Sequence, residues 1–124
     1  GVAKNLCTFA TQGSKGTVRL SVQKVIESMY GAKKPIGAIC IAPALVGLAL
    51  PGKKLELTVG PPGEAAQEIE KMGHRHIVKP ASECHVDPTH RVVSTPAYMI
   101  DSAMIHEIFT GIKLCVDEVI RFTA

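Results

Sequence analysis

Aromatic residues are scarce in this sequence, and neither sign of charge is in strong excess. It contains no Trp, two Tyr and three Phe, and 14 basic residues against 11 acidic ones leave a net charge of +3. Proteins that bind nucleic acid usually combine a clustered basic surface with aromatic side chains on which the bases stack. The basic residues here are scattered along the chain, so we expect no nucleic-acid partner.

Long hydrophobic runs and closely paired cysteines are also missing. The longest apolar run, residues 36–50, is shorter than the roughly 18 residues that indicate a membrane span, and Pro43 interrupts it. We therefore expect no membrane insertion. No C-x-x-C pair is present, and a disulfide framework is improbable in a chain with this much apolar content, so we expect free thiols in a reducing compartment. We expect neither a metal site nor a cofactor. The four cysteines are Cys7, Cys40, Cys84 and Cys115.

Short apolar runs alternate with amphipathic patterns along the 124 residues, of which 46% are hydrophobic. This length fits one domain, residues 1–124, and the alternation predicts an α/β fold with helices on the faces of a sheet. Helices are predicted at 18–29, 41–50, 63–72 and 100–122, with Thr17 capping the first and Gly31 ending it. Strands are predicted at 35–40, 55–59 and 76–78, and segments 84–86 and 92–94 are predicted to form a hairpin.

Two of the predicted helices carry apolar stripes that we expect to face the core, because their members recur with helical spacing. The first helix has Val18, Val22, Val25, Ile26 and Met29. The last helix has Ile100, Met104, Ile108, Ile112, Cys115, Val119 and Phe122.

One cysteine lies at a chemically favourable place. Residues 34–44 read Lys-Pro-Ile-Gly-Ala-Ile-Cys-Ile-Ala-Pro-Ala, which predicts a buried strand, then Cys40, then the start of a helix. At such a junction the N–H groups and positive end of the helix stabilise a thiolate, as in the sharp turn that holds the nucleophile of many hydrolases. Cys40 is thus a candidate nucleophile and the Ile41 N–H a candidate oxyanion donor. The alternative is that Cys40 is a small buried hydrophobic residue.

Several segments, taken together and in this order, resemble one known family. The combination is similar to the enhancing lycopene biosynthesis (ElbB-like) proteins of the PfpI superfamily, which include mitochondrial glutamine amidotransferase-like class 1 domain proteins of eukaryotes. The resemblance implies a flavodoxin-like α/β sandwich with a mostly parallel sheet and helices on both faces. It further implies that this chain corresponds to the C-terminal part, with the first strands outside the sequence. The matching segments are 1–6, 34–44, 58–60, 85–87 and 92–99.

The resemblance also bears on activity. It places Cys40 at the nucleophile position, whereas the superfamily's acidic partner and glycine pair belong to a segment that precedes this sequence. Relatives with a hydrolase-type dyad have His directly after the cysteine, and Ile41 stands here, so we expect no glutaminase activity. The resemblance instead suggests a weak glyoxalase-type or redox-responsive activity on a small aldehyde. The alternative is a non-catalytic structural or interaction component of a mitochondrial assembly.

Location and partners follow in the same way. The resemblance to eukaryotic members implies a mitochondrial location, with the cytoplasm as the alternative. Because the predicted strands would leave one sheet edge unpaired, we expect a homo-oligomer, such as a dimer through that edge, or a larger protein assembly.

Three local features leave alternatives open. Residues 59–63 read Val-Gly-Pro-Pro-Gly, and this join is either a short loop or a place where residues are absent. By the resemblance, Lys4 and Asn5 either line a pocket mouth or cap a helix. The polar residues clustered at 74–90 lack the spacing of a zinc site and are expected to be solvent-facing loop and strand residues. They are His74, His76, Cys84, His85, Asp87 and His90.

Overall fold

Helices and strands alternate along most of the chain in the computed structural model, which describes residues 2–124. None of the helices in this range is long and apolar enough to cross a membrane. The helices are α1 (Phe9–Gln12), α2 (Leu20–Gly31), α3 (Ala42–Ala49), α4 (Glu64–Lys71) and α5 (Ile105–Thr123). The strands are β1 (Ile36–Ile39), β2 (Glu56–Gly60), β3 (Arg75–Val78), β4 (His85–Asp87) and β5 (Val92–Thr95). Short 3-10 turns lie at Val2–Asn5, Gly13–Lys15 and Ala97–Met99.

The five strands form two sheets, although the sequence predicts one. β1 pairs in parallel with β5, and β5 pairs antiparallel with β4, in the order β1-β5-β4. β2 and β3 form a separate parallel pair. The predicted hairpin is present, with β4 one residue later than expected. The mostly parallel α/β arrangement is therefore confirmed, and the division into two sheets is the part that the sequence pattern did not indicate.

A buried polar seam explains the division. The backbone N–H of Glu56 donates to Asp87 Oδ2 at 2.9 Å, and the N–H of Thr58 donates to Ser94 Oγ at 3.0 Å. Asp87 and Ser94 belong to the hairpin and are only 2% and 0% exposed. Side-chain oxygens thus accept the hydrogen bonds that backbone carbonyls would accept in a continuous sheet, and they satisfy the buried donors of β2.

Two histidine side chains also accept hydrogen bonds from the backbone N–H groups of β2 and of the residue before it. Leu55 N–H donates to Nδ1 of His74 at 3.0 Å, so the proton of that ring is on Nε2, which donates to the Gly47 carbonyl at 2.8 Å. Val59 N–H donates to Nε2 of His76 at 3.1 Å. The expectation that the polar residues of segment 74–90 face solvent is wrong for His74 and Asp87, which are both buried. His74 is buried because its ring bridges the start of β2 to α3, and Asp87 because its carboxylate accepts hydrogen bonds from the backbone of Glu56 and His90.

The hydrophobic core has two parts. The larger lies around α3, of which six of the eight residues are buried, and it includes the apolar side chains of β2. A smaller cluster of Ala81, Ala97 and Ile108 lies beneath α5. The join at 59–63 is a three-residue bend between Gly60, which ends β2, and Glu64, which begins α4. A short connection therefore suffices to close this part of the fold.

α2 starts later than the sequence predicts. It begins at Leu20 with Arg19 as its N-cap residue and without a side-chain cap, so Thr17 does not cap it. Val18 is not helical because it pairs with Cys7 in an isolated antiparallel bridge. Val18 therefore belongs to a bridge with Cys7 and not to the helix, and the helical pattern of the sequence gave no sign of this pairing.

The end and the buried face of α2 also differ from expectation. Gly31 is the last helical residue instead of the one that follows the helix, and only Ile26 of the predicted stripe is buried. Val25 is 61% exposed. The predicted stripe thus faces the core in part, because Val18 and Val22 are half-buried and pack against it, whereas Val25 faces solvent.

α5 begins at Ile105, five residues after the predicted start at Ile100. The Met104 N–H donates to Glu107 Oε1 at 2.9 Å at the amino end of the helix. Met104 is consequently exposed instead of buried, and the helical residues that are buried are Ile108, Gly111 and Cys115. A second apolar stripe, which we call the outer α5 stripe, faces outward. It consists of Ile105, Phe109, Val116 and Ile120.

Gly111 is where α5 approaches the rest of the fold most closely. A Cβ at this position would collide with the Ala81 carbonyl oxygen and lie 2.8 Å from Thr95 Oγ1. We expect Gly111→Ala to destabilise the fold by about 1–3 kcal/mol because of overpacking, although Ala is the better helix former. The control is Gly31→Ala, where a Cβ would meet nothing within 4 Å. Urea unfolding measures both, and equal stability of the two variants would contradict the contact.

The Asp87 carboxylate makes the seam sensitive to acid. Burial raises the pKa of Asp87, but hydrogen bonds from the Glu56 and His90 N–H groups and from the His90 ring outweigh it, and the pKa lies below its usual value. The unfolded chain therefore binds a proton at higher pH than the folded one. The stabilisation from Asp87 is present above the unfolded pKa, about 3.9, and is lost as the pH falls through the folded value.

We expect Asp87→Asn to be less stable than the wild type by about 1–3 kcal/mol at pH 6, because a buried acceptor is weakened. The difference should shrink at pH 3, because the unfolded wild-type chain, with an Asp pKa of about 3.9, then binds a proton and the wild type loses stability. Urea unfolding at both pH values measures this, with Asp101→Asn at an exposed turn position as the control. A difference that is the same at pH 3 and pH 6 would rule out an ionised Asp87 as its source.

Candidate functional site

Cys40 lies between the end of β1 and the start of α3, in a strained backbone conformation. Its φ is +67°, in the left-handed region that non-glycine residues enter at a cost of roughly 1–2 kcal/mol. Its N–H donates to the Thr95 carbonyl at the end of β5, at 3.0 Å. The turn is thus held by the neighbouring strand.

The carboxyl ends of several strands meet near this turn. Ala97, just after β5, also has a left-handed φ, +47°. At the end of β2, Gly60 has a φ of +108°, and a Cβ there would lie 3.3 Å from Pro96 and 3.2 Å from Ile100. In open α/β sheets the carboxyl ends of the strands are the usual place for ligands. Cys40 is therefore on the edge of the fold where chemistry is expected.

The Ile41 backbone N–H lies beside the thiol without a hydrogen-bond acceptor among the described residues. Within residues 2–124 it donates none of the hydrogen bonds, and no side chain caps α3. Pro43 occupies the first turn of α3 without an N–H of its own. An oxygen that develops negative charge at Cys40 would thus meet an unused N–H and the positive end of a helix.

A small apolar cavity of about 100 Å³ adjoins this turn. Ile41 lines it from one side and Lys4 from another. Lys4 therefore lines a cavity. Asn5 is the last residue of the 3-10 turn Val2–Asn5, which also contains Lys4. The remaining lining residues are Ala3, Cys7, Phe9 and Ala10.

The surroundings of the Cys40 side chain are apolar. It is half-buried and packs against the small cluster beneath α5. Among residues 2–124 no carboxylate or imidazole makes a hydrogen bond with its sulfur. The described part of the chain thus places an unused backbone N–H, that of Ile41, beside the thiol, but no general base in contact with it.

The other three cysteines are also free thiols. Burial raises the pKa of Cys115 to about 11, and its S–H points to the Val93 carbonyl, 3.7 Å away. Burial, assisted by the charge of Glu118, raises the pKa of Cys84. Cys7 is half-buried, with its sulfur 3.5 Å from the Ala3 carbonyl. These environments do not activate Cys84 or Cys115.

The polar residues of segment 74–90 serve the structure. His85 Nε2 lies 2.8 Å from Glu56 Oε1, and His90 Nδ1 lies 2.8 Å from Asp87 Oδ2. Within the described range, no three His, Cys, Asp or Glu side chains come together as a metal site. Sequence reasoning missed the seam. Its signal in the sequence was Ser94, a polar residue that directly follows the apolar pair Val92 and Val93 in β5.

Comparison with known proteins gives a consistent picture. No protein-family model matches the chain. It is 39% identical over 132 residues to the ES1 protein homolog, mitochondrial, of Rattus norvegicus. It is 40% identical over 132 residues to the human glutamine amidotransferase-like class 1 domain-containing protein 3, mitochondrial. Both matches cover 99% of this chain and 48% of the relative, so the chain spans about half the length of these curated relatives.

A zebrafish relative and a solved structure agree with these matches. The ES1 protein, mitochondrial, of Danio rerio is 34% identical over 137 residues, with 100% of this chain and 50% of that protein covered. The crystal structure of an isoprenoid biosynthesis protein with an amidotransferase-like domain from Ehrlichia chaffeensis superposes with a TM-score of 0.83 at 29% identity. The match covers 100% of this chain and 55% of that one. The flavodoxin-like fold predicted from the sequence is confirmed.

The different environments of the four thiols predict an order of reactivity. We expect iodoacetamide near pH 7 to alkylate Cys40 before Cys84 and Cys115, because it lies at the uncapped helix end whereas burial raises the pKa of the other two. Timed labelling of the folded protein, read by peptide mass, measures the order, and urea-unfolded protein is the control. If Cys40 reacts no faster than Cys7 or Cys84, it is a packing residue.

Proposed function

The chain belongs to the ElbB-like family of amidotransferase-like proteins, and from this we propose that Cys40 is its reactive residue, a thiol that adds to small aldehydes. The strained φ of +67° carries the proposal, because it places a half-buried cysteine at the carboxyl edge of the strands, where packing alone does not demand it. The whole protein's substrate and turnover belong to the same proposal, since the chain covers about half of its relatives.

The first step is a simple addition. The Cys40 sulfur attacks the aldehyde carbon, a C–S bond forms, and the π electron pair of the C=O moves to oxygen. The Ile41 N–H is free to donate to that oxygen, which then takes up a proton to give a hemithioacetal. Addition of this kind is reversible and needs no redox partner.

Turnover with glyoxal would require two further steps. A proton shift from the carbon bearing sulfur to the neighbouring carbonyl carbon turns the hemithioacetal into a thioester of glycolate. Water then releases glycolate and restores the thiol, so that glyoxal plus water balances glycolate without an oxidant. The proton shift needs a base, and none of residues 2–124 holds one in hydrogen-bond contact with Cys40. We therefore expect slow turnover, and no glutaminase activity.

Cys40→Gly separates chemistry from folding. Glycine suits the left-handed φ, so we expect the variant to be at least as stable as the wild type while lacking the thiol. With glyoxal, the wild-type protein should form glycolate at least about tenfold faster than Cys40→Gly, which lacks the nucleophile. Cys84→Ala, which removes another half-buried thiol that does not line the cavity beside Ile41, is the matched control and should keep wild-type activity. Equal glycolate formation by Cys40→Gly and the wild type would remove the enzymatic proposal.

A second candidate, an interaction component of a mitochondrial assembly, rests on a different observation. The outer α5 stripe exposes four large apolar side chains on one helix, and exposed apolar patches of this kind often mark protein contacts. The relatives from rat, human and zebrafish are mitochondrial by name, and we infer the same compartment for this protein.

Oligomeric state separates the candidates. Phe109→Ser on the outer α5 stripe should reduce self-association or partner binding, as measured by sedimentation, and leave Cys40 labelling unchanged. If instead the wild type is monomeric and Phe109→Ser changes no association, the interaction role loses its support.

A further inference from the structure

We propose that a cleft at the end of the sheet opposite Cys40 binds the phosphate group of a small phosphorylated molecule. The cleft is formed by the turn before β1 and by the turn between β4 and β5. Because β1 and β5 are parallel, both turns lie at the amino ends of these strands, whereas Cys40 follows the carboxyl end of β1. The cleft is thus a separate site from the one proposed for aldehydes.

The cleft has the size of a ligand site. Its volume is about 450 Å³, within the range of 300–1,000 Å³ that is usual for small-molecule pockets. No acidic side chain lines it. The lining residues are Tyr30, Gly31, Lys33, Pro88, Thr89, His90 and Arg91.

Two cations of the cleft have no anionic partner. Neither Lys33 nor Arg91 forms an ion pair with a carboxylate among residues 2–124. The Arg91 guanidinium carbon lies 5.7 Å from the centre of the Phe122 ring, a contact that leaves its N–H donors available. The two positive charges match a phosphate monoester, which carries a charge between −1.5 and −2 at neutral pH.

The carboxylate that contacts the cleft residue His90 makes its hydrogen bonds inside the seam. Asp87 is buried and accepts hydrogen bonds from the N–H groups of Glu56 and His90, and its Oδ2 lies 2.8 Å from His90 Nδ1. Asp87 does not line the cleft and makes no ion pair with Lys33 or Arg91. The cleft attracts anions as a result.

Lys33 and Arg91 both lie in turns whose backbone is held by hydrogen bonds. Lys33 and Arg91 have φ values of +59° and +58°, two of the five left-handed non-glycine residues in the described chain. The Lys33 N–H donates to the Tyr30 carbonyl at 3.0 Å, and the Arg91 carbonyl accepts from Ile36 N–H at 2.9 Å. Fixed turns reduce the entropy that is lost when an anion binds.

The rest of the cleft fits the organic part of such a ligand. The rings of Tyr30 and His90 stack with their centres 6.2 Å apart and their planes 20° apart, and they form one wall. The Thr89 hydroxyl lies on the exposed turn beside them. A flat wall with hydroxyl groups near it suits a sugar phosphate better than a free fatty acid or a bare anion.

The test uses ribose 5-phosphate as the probe, measured by isothermal titration calorimetry on the whole protein. We expect saturable binding of ribose 5-phosphate, at least tenfold weaker binding of inorganic phosphate, and none of ribose. Vesicles that contain phosphatidic acid form another arm, because a lipid headgroup offers the same phosphate chemistry. Binding to vesicles without binding of ribose 5-phosphate, or equal binding of ribose, would overturn the proposal.

The left-handed backbone provides well-matched variants. Lys33→Gly and Arg91→Gly each remove a cation where glycine is conformationally favoured, so folding should be preserved. Each should weaken ribose 5-phosphate binding at least tenfold. Lys54→Gly is the control, since Lys54 has a φ of +57°, is exposed and lies outside the cleft, and it should bind as the wild type does. Equal affinity of all three variants would refute the site.

The outcome does not depend on the chemistry proposed for Cys40. Cys40→Gly should bind ribose 5-phosphate with wild-type affinity, and Lys33→Gly should retain wild-type labelling of Cys40. A loss of phosphate binding in Cys40→Gly would show that the two ends of the sheet are one site and would overturn the proposal of a separate cleft.

Discussion

The fold depends on a substitution of side-chain oxygens for backbone carbonyls along β2. Glu56 and Thr58 donate their N–H groups to Asp87 and Ser94, both buried, instead of to a neighbouring strand. Buried donors without acceptors would cost roughly 1–3 kcal/mol each, so this polar seam is what permits two sheets to share one core. It also holds the β4–β5 hairpin against β2, and β5 in turn holds the turn at Cys40 through the Thr95 carbonyl.

The alternation of apolar runs and amphipathic patterns sufficed to predict the class of fold, the hairpin and the strand-to-helix junction at Cys40. Those features depend on local patterns of period 2 and 3.6, which are legible in one sequence. The seam depends on pairings between residues far apart in the chain, and no local pattern carries that information. His74 illustrates the difference, because its burial follows from a hydrogen bond to Gly47 on another element.

The two proposed sites also differ in how much of each could be predicted from local sequence patterns. The position of Cys40 in the chain followed from the sequence, but its left-handed φ did not, because only the hydrogen bond to β5 and the convergence of strand ends reveal that constraint. The cationic cleft was invisible to sequence reasoning. Lys33 and Arg91 precede two strands that are distant in sequence, and only the parallel pairing of β1 with β5 places them together.

The missing side chain of Gly111 has a consequence for the orientation of α5. α5 can lie this close to the Ala81 carbonyl only where it has no Cβ, which is at Gly111. Gly111 therefore fixes which face of α5 packs against the rest of the fold. If α5 rotated about its axis by about 100°, the angle between successive helical residues, the Cβ of a neighbouring residue would enter the space beside the Ala81 carbonyl that Gly111 leaves free. The helix has apolar residues on two faces, and composition alone would let either face turn inward. The close contact at Gly111 selects the face that packs inward and leaves the other face, with Ile105 and Phe109, exposed.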